Sequence, residues 1–276
     1  MFCGRRAAAF AACKSGQSDA AFLPACDTEN QNGGKNMKPI FIEDKRNTQI
    51  VAHRGLSGIE RENTLPAFVA AGNRSCFGIE CDVHVTKDGQ YLVYHDDTTG
   101  RLCEKDISLE ASTAEQLRGL RIKDAQSDEF TDSLKMPALS EYLAVCARYE
   151  KTAVVELKNP MSAGHIAKIV EICGNVYDLR RVVFISFCFE NLVEVRKIKE
   201  DQTVQFLCDK YGADLLERLK RHKFDLDIYY RALTREAVSE LHAAGVAVNC
   251  WTCDDKKDAE ELISWGVDYI TSNILE

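Results

Sequence analysis

The chain has 276 residues, of which 45% are hydrophobic and 28% charged, so it can bury one large core of barrel size. Its net charge of −8 argues against non-specific binding to nucleic acid or to an anionic membrane surface, since both are negatively charged. Its apolar runs are all too short to span a bilayer, so we expect no stable membrane insertion.

Residues 1–36 show no helical or strand period that continues into the rest of the chain. We expect this extension to be disordered or untranslated, because translation through a bacterial ribosome-binding site would give "GGKNM" and Met37 would then be the start. The alternative is a signal peptide or a lipoprotein, since Arg5 and Arg6 precede a short apolar run and Cys13.

The 12 cysteines are scattered singly through predicted strands and helices, which disfavours a disulfide framework. Reduced, buried thiols are typical of cytosolic proteins, so we favour a cytoplasmic bacterial location over a periplasmic one or a lipoprotein. The one C-x-x-C runs from Cys250 to Cys253. In a strand these two side chains would point to opposite faces, which disfavours a local disulfide or metal site.

From Gln49 onward, apolar segments of strand length alternate with amphipathic segments of helix length. The predicted strands, in chain order, are "QIVAH", "FGIECDVHV", "QYLVYHD", "AVVELK", "VVFISF", "TVQFLC", "LDIYY", "VAVNCWT" and "VDYITS". The predicted helices between them are "TLPAFVAAGNR", "ALSEYLAVCARYE", "SAGHIAKIVEICG", "ENLVEVRKIKE", "DLLERLKRH", "TREAVSELHAAG" and "DDKKDAEELISWG". The "KDG" turn predicts that the third strand pairs back on the second as a hairpin.

The remaining strands number about eight, which is the number that closes a (β/α)8 TIM barrel, an α/β fold. The alternative is an open doubly wound sheet, but no strand is followed by the glycine-rich phosphate loop that is common in such sheets. A polar segment over about 96–135 fits neither period, and we interpret it as a small insertion near the site. The domain is therefore expected over residues 37–276.

Carboxylates lie two residues apart from a second charged side chain on two predicted strands. Glu80 and Asp82 share one strand, and Glu156 and Lys158 share another. Residues two apart on a strand point to the same face, so each pair projects together at the end of the barrel. Buried carboxylates are costly unless they are paired or bind a metal, and Mg²⁺ or Ca²⁺ prefers oxygen ligands. Because histidine is a common zinc ligand and two histidines lie nearby, zinc remains an alternative metal.

Two histidines complete the pattern. His53 and Arg54 follow the first predicted strand, and His95 ends the hairpin strand. An unperturbed histidine pKa near 6.5 suits general acid–base catalysis, with one ring protonated and the other neutral. Arg54 and Lys158 add fixed positive charge that suits phosphate oxygens. The combination predicts metal-assisted transfer at a phosphodiester.

The motifs resemble those of one family. "AHRG", "ENTLPAF", "IECDVHVTKDGQYLVYHD", "VVELK", "ISF", "NCWTCDD" and "GVDYITSN", in this order over about 49–273, resemble the glycerophosphodiester phosphodiesterases. The resemblance implies a TIM barrel with a small insertion after the H-D motif. It also implies hydrolysis of glycerophosphodiesters to sn-glycerol 3-phosphate and an alcohol.

The resemblance further implies roles for single residues. These are the acid–base pair His53 and His95, the metal ligands Glu80, Asp82 and Glu156, the phosphate-binding Arg54 and Lys158, the substrate-lining Trp251 and Phe187, and Glu62 in support of Arg54 or the metal. We expect His95 to act as base and His53 as acid, and the exchanged roles stay open. Arg61 departs from the family, which usually has Pro there, and Arg101 lies in a distorted Arg-Thr-Thr pattern.

Two other functions stay open. One is a phospholipase D-like phosphodiesterase that acts on lysophospholipids or sphingomyelin, although we find no basic amphipathic helix that would dock on a membrane. The other is a non-catalytic barrel that binds a phosphorylated ligand, although both histidines are present. Direct attack by water and attack through a cyclic phosphate are also both open, as are the alcohol, the metal and the oligomeric state.

Overall fold

A computed structural model describes residues 38–276, so the expectations for residues 1–36 and for Met37 lie outside the described residues. The strands are β1 (Gln49–Ala52), β2 (Gly78–Val85), β3 (Tyr91–Val93), β4 (Ile122–Lys123), β5 (Phe130–Thr131), β6 (Thr152–Leu157), β7 (Val182–Ser186), β8 (Val204–Cys208), β9 (Asp225–Tyr229), β10 (Val248–Trp251) and β11 (Tyr269–Ser272). The α-helices are α1 (Leu65–Gly72), α2 (Ala114–Arg118), α3 (Leu139–Arg148), α4 (Ala163–Val176), α5 (Phe189–Ile198), α6 (Ala213–His222), α7 (Arg235–Ala243) and α8 (Lys256–Trp265).

Eight of these strands form a parallel ring in the order β1-β11-β10-β9-β8-β7-β6-β2. The ring is closed because β1 also pairs with β2, with Val51 opposite Gly78 and Ala52 opposite Ile79. β3 lies antiparallel to β2, as the "KDG" turn predicted. The predicted (β/α)8 TIM barrel is therefore confirmed, and a closed ring excludes the open doubly wound sheet.

Alternate residues of the barrel strands point inward or outward, so the strands serve two cores. Val51, Val154, Ile185 and Leu207 form a buried apolar cluster of their own inside the ring. The outward residues join a larger cluster under the helices, where the ring of Tyr142 packs edge-on against that of Phe68. Within residues 38–276, no helix is both long and apolar enough to cross a membrane.

The segment over residues 96–135 has a core of its own. It contains α2 and the two-stranded sheet of β4 and β5. Leu102, Leu109, Leu117 and Ile122 are buried there, together with Leu92 of β3. Leu102 and Leu109 lie in turns, whereas Leu117 lies in the short helix α2 and Ile122 in the short strand β4. None of these elements is long enough to give a periodic pattern, so the sequence did not indicate a core. The segment packs against the barrel through apolar contacts as well as charged ones.

Arg61 connects this segment to the loop before α1. Its guanidinium donates from Nε to the Lys123 carbonyl oxygen at 2.7 Å and from Nη2 to the Asp124 carbonyl oxygen at 2.6 Å. The side chain is only 17% exposed, so both hydrogen bonds are largely shielded from water. An arginine at this position therefore braces the loop against the segment, which a proline, with no side-chain donor, could not do.

We expect Arg61→Ala to lower the free energy of unfolding by about 1–2 kcal/mol, because it removes two hydrogen bonds from a charged donor. For a domain of this size the melting temperature should fall by about 2–8 °C. Arg118→Ala is the control, since Arg118 is 40% exposed and pairs only with Glu141. Calorimetry that finds the same melting temperature for both variants would show that Arg61 braces nothing.

Candidate active site

A tight turn after β1 sets the position of Arg54. The backbone of Arg54 has φ +54° and that of Gly55 has φ +80°, both in the left-handed region. A Cβ atom on Gly55 would lie 2.6 Å from the carbonyl carbon of Ala67 in α1, so only glycine fits there. The turn directs the Arg54 backbone N–H toward Glu80, and it donates to Oε2 at 2.8 Å.

Three buried carboxylates meet beside this turn. Glu80, Asp82 and Glu156 each offer an oxygen, and the three oxygens lie within 4.8 Å of one another. Asp82 and Glu156 are direct register partners on β2 and β6. Glu80 Oε1 and Asp82 Oδ1 are buried, and neither has a hydrogen-bond partner within residues 38–276. The sequence predicted these three as one metal-binding set, and the fold brings them together.

Two basic side chains contact this trio. Lys158 Nζ forms two ion pairs, lying 2.9 Å from Glu156 Oε1 and 3.2 Å from Asp82 Oδ1. Arg54 Nε lies 3.4 Å from Asp82 Oδ2. Both residues therefore lie at the site where the sequence predicted phosphate-binding groups.

The neighbouring charges shift the pKa values of the three carboxyl groups in different directions. Burial and the charge of Asp82 raise the pKa of Glu80 well above its usual range and that of Glu156 to about 7. Burial also acts to raise the pKa of Asp82, but the charges of Lys158 and Arg54 outweigh it and the pKa is lowered. Two basic groups thus do not fully offset three carboxylates, and the unpartnered oxygens fit a hard divalent cation.

The two predicted histidines are each anchored through Nδ1. His53 Nδ1 lies 2.8 Å from Asn273 Oδ1, and the Asn273 amide nitrogen donates to Asp254 Oδ2 at 2.7 Å. Because that amide nitrogen faces Asp254, the oxygen faces His53 and accepts its Nδ1 proton. Burial and the charge of Arg54 lower the pKa of His53 to about 3. His95 Nδ1 lies 2.7 Å from Asp96 Oδ1.

A charged network runs along the wall of the site. Arg101 donates to both oxygens of Glu62 at 2.8 Å and from Nε to Asp96 Oδ2 at 2.6 Å. Glu62 Oε1 also accepts from Arg54 Nη1 at 2.8 Å, so the network extends from His95 to Arg54. Burial acts to raise the pKa of Glu62, but hydrogen bonds from Arg101 and the charge of Arg54 lower it to about 2.

A pocket of about 440 Å³, its open mouth included, brings most of the predicted residues together. Its lining includes His53, Arg54, Glu80, His95, Glu156, Phe187 and Trp251. Phe187 and Trp251 pack edge-on with ring centroids 5.6 Å apart. Asp82 and Lys158 contact this lining through the ion pairs given above, and Glu62 does so through Arg54.

Sequence reasoning missed several residues that hold the site. Asn63 donates to Asp82 Oδ2 at 2.7 Å, and Asn273 and Asp254 orient His53. Asn63 lies in the "ENT" motif and Asn273 ends "ITSN", so both were within quoted motifs. Asp227 also lines the pocket and had no motif to mark it.

Comparison with known proteins identifies the family. Residues 53–275 match the model of the glycerophosphoryl diester phosphodiesterase family. The chain belongs to this family. The match confirms the predicted family and, with the names of the relatives below, the predicted class of enzyme.

Two relatives and one solved structure show how far the similarity extends. A glycerophosphodiester phosphodiesterase of Caldanaerobacter subterraneus is 28% identical, over 82% of this chain and 94% of the relative. One of Bacillus subtilis is 30% identical, over 81% of this chain and 82% of the relative. An Oleispira antarctica phosphodiesterase, solved in complex with the product sn-glycerol 3-phosphate, is 26% identical with a TM-score of 0.75, over 82% of this chain and 93% of that one.

Because the trio carries unpartnered carboxylate oxygens, we expect Mg²⁺ or Ca²⁺ to raise the melting temperature of the protein. Glu156→Gln keeps the side-chain size and removes one charge, so it should raise the metal concentration that gives half of this shift by about tenfold or more. Glu171→Gln is the control, since Glu171 pairs with Lys168 on the surface of α4. Equal metal-induced shifts in all three proteins would contradict the assignment.

Proposed function

We propose that this protein hydrolyses glycerophosphodiesters to sn-glycerol 3-phosphate and an alcohol. The observation that carries the proposal is one pocket lined by two anchored histidines, Arg54, Glu80 and Glu156. Asp82 and Lys158 lie directly beside this lining and complete the carboxylate trio and the pair of basic side chains. The family and the relative solved with sn-glycerol 3-phosphate support it. The proposal includes one catalytic domain over residues 37–276, with a small insertion over about 96–135.

Arg54 and Lys158 bind the phosphate group of the substrate in this proposal. Glu80, Asp82 and Glu156 would hold the divalent cation, Mg²⁺ or Ca²⁺. When bound, that cation supplies a Lewis acid that withdraws charge from a phosphate oxygen. Asn63 fixes one oxygen of Asp82 by a hydrogen bond. The guanidinium of Arg54 is itself fixed by Glu62, so it can meet the phosphate without rearrangement.

The contacts of the two histidines favour the exchanged assignment of roles. His53 directs its Nδ1 proton to Asn273 and is neutral at working pH, so its Nε2 is free to accept a proton from the attacking hydroxyl or water. His95 Nδ1 is held by the Asp96 carboxylate at 2.7 Å, so the ring is oriented with its other nitrogen available to the leaving oxygen, and we assign it the role of proton donor there. We therefore propose His53 as base and His95 as acid.

The substrate enters past two aromatic rings. Phe187 is 46% exposed, and it stands with Trp251 at the pocket lining, where the rings can cover the carbon chain of a polyol arm. The described cysteines are free thiols, which supports a cytoplasmic location as part of the proposal. No specific contact favours the lysophospholipid-cleaving alternative or the non-catalytic one within residues 38–276.

The proposal is tested by phosphorus NMR on a panel of glycerophosphodiesters with choline, ethanolamine, glycerol or inositol as the second alcohol. We expect the sn-glycerol 3-phosphate resonance to appear in the presence of Mg²⁺ or Ca²⁺ and to be absent with excess chelator. Release of a phosphorylated second alcohol, or no turnover of any diester with either metal, would contradict it.

We expect His53→Ala and His95→Ala each to lower kcat by about 10²–10⁴-fold, the range typical of general acid–base catalysis. Metal binding should change little, because neither histidine belongs to the carboxylate trio. His165→Ala is the control, since its ring contacts the Tyr91 hydroxyl away from the pocket.

A glycerol diester with a nitrophenyl leaving group separates the two roles, because nitrophenolate leaves without protonation. His95→Ala should recover most of its activity on this substrate, and His53→Ala should not. Rescue of His53→Ala alone would reverse the roles. Near wild-type kcat for both variants on the natural diester would refute the two-histidine mechanism.

Arg101→Ala should lower kcat/KM by about 10–100-fold, because His95 and Arg54 lose the shared network that orients them. Arg121→Ala is a close control. Both arginines have side chains that are 45% exposed and paired with a carboxylate, but Arg121 pairs only with Glu104. Equal kcat/KM values for the two variants would show that the network does not position the site.

A further inference from the structure

One side of the pocket is not used by the mechanism proposed above. Asp227 lines it from β9. Around the ring, β9 is four strands from β2 in either direction, so Asp227 faces Glu80 and Asp82 across the barrel. The other ionisable residues of the lining are His53, Arg54, Glu80, His95 and Glu156, which all belong to the phosphate-binding end.

Asp227 is buried without a partner. Asp227 is only 1% exposed, and its Oδ1 accepts no hydrogen bond from the part of the chain that the structure describes. Among residues 38–276, no ion pair involves it. The polar residues nearby satisfy one another instead, since Asn249 donates to Gln205 Oε1 at 3.2 Å and Thr271 donates to Asn249 Oδ1 at 3.1 Å. A buried unpaired carboxyl lowers stability, and such groups persist where they bind something.

We propose that Asp227 binds the hydroxyl groups of the glycerol arm of the substrate. This inference rests on the proposed function and assigns it a specificity-determining residue. With the phosphate held at Arg54 and Lys158, one arm of the diester extends across the barrel toward β9. There Ile185 and Leu207 line the pocket with apolar surface, and the Thr271 hydroxyl already donates to Asn249. Among the described residues on this side, Asp227 Oδ1 is a buried acceptor and Trp251 Nε1 a buried donor without a hydrogen-bond partner, so a hydroxyl of this arm can bond to both.

The neighbouring strand adds an aromatic wall to this subsite. Asp227 is the register partner of Asn249 on β10, and Tyr229 is the register partner of Trp251. Trp251 therefore lies two residues further along the strands than Asp227, toward the pocket mouth. An aromatic face over the carbon chain and a carboxyl at the hydroxyls is a combination that suits a polyol. A diester that lacks the hydroxyls would leave Asp227 desolvated and unpaired, which disfavours its binding.

A cation is the competing ligand, because a carboxylate near aromatic rings also suits the trimethylammonium group of choline. The depth of Asp227 favours the hydroxyls. It is 1% exposed, whereas Phe187 at the same pocket is 46% exposed, so the rings lie nearer to solvent than the carboxyl does. A hydroxyl is small enough to reach a buried oxygen, and the bulkier cation would stop among the rings.

The test is calorimetric binding of sn-glycerol 3-phosphate and of inorganic phosphate to the full chain at saturating divalent cation. Asp227→Leu keeps the branching of the side chain without its oxygens. This substitution should weaken the binding of sn-glycerol 3-phosphate by about 10–100-fold, because a hydroxyl of the ligand is left unpaired. The affinity for inorganic phosphate should stay within about twofold of the wild-type value. Asp227→Asn keeps hydrogen-bonding groups and should lose about tenfold at most.

The control is Asp225→Asn on the same strand, since Asp225 Oδ1 already accepts from the Ala247 backbone N–H at 3.0 Å. It should leave both affinities unchanged. Asp227→Leu should also not lower the melting temperature, because it removes an unpaired buried carboxyl. A structural role for Asp227 predicts the reverse, a lower melting temperature and equal weakening of both ligands, and that result would overturn the inference.

Two further outcomes also overturn the inference. One is wild-type protein that binds sn-glycerol 3-phosphate no more tightly than phosphate. The other is an equal loss of affinity for sn-glycerol 3-phosphate in Asp227→Asn and Asp227→Leu, together with competition by choline for binding to the wild type. That result would indicate a cation subsite. Phosphorus NMR of the wild type keeps the two proposals apart: hydrolysis without this binding difference refutes only the role of Asp227, and the binding difference without hydrolysis refutes only the enzymatic function.

Discussion

Repulsion among three buried carboxylates is the constraint on which the rest of the site depends. The oxygens of Glu80, Asp82 and Glu156 come within 4.8 Å of one another inside a barrel that shields them from water. Charges this close interact by several kcal/mol even at an effective dielectric constant of about 20. The fold meets this cost with Lys158, with Arg54 and with space for a divalent cation. The groups that would bind a phosphate are therefore also those that offset part of the repulsion among the carboxylates.

The same constraint explains the unusual backbone at the first corner of the site. Arg54 reaches Glu80 with its backbone N–H and Asp82 with its guanidinium only because two consecutive residues adopt left-handed conformations. Gly55 is required where the turn passes α1. Glu62 then holds the guanidinium from the other side, and Arg101 holds Glu62. Segment 96–135 thus reaches the site through Arg101, which holds Glu62, and through Asp96, which contacts His95.

Much of this architecture could be predicted because it follows from short-range patterns. The alternation of strands and helices predicted the barrel, and the spacing of Glu80 with Asp82 and of Glu156 with Lys158 predicted a shared face. Contacts between distant segments could not be predicted in this way. Asn273 lies 220 residues from His53, and Arg101 lies 39 residues from Glu62.

Asp227 illustrates a signal that the sequence did contain. It is an acidic residue at an alternating position of the strand "LDIYY", where a carboxylate inside an otherwise apolar strand indicates a function or a partner. The core of segment 96–135 offered no comparable signal, since its apolar residues come singly from turns and from elements as short as α2 and β4. Helical and strand periods detect regular elements, and they fail where packing is contributed by single residues.

Because the three carboxylates repel one another, we expect them to bind one divalent cation at the pocket. Anomalous diffraction from crystals of the full chain soaked with Mn²⁺ tests it most directly, since Mn²⁺ takes the same oxygen ligands and identifies itself by its anomalous signal. We expect a single strong peak bound by Glu80, Asp82 and Glu156, and we expect this peak to be lost or much weaker in Glu156→Gln. A peak bound elsewhere, or no peak at the trio at saturating Mn²⁺, would contradict it.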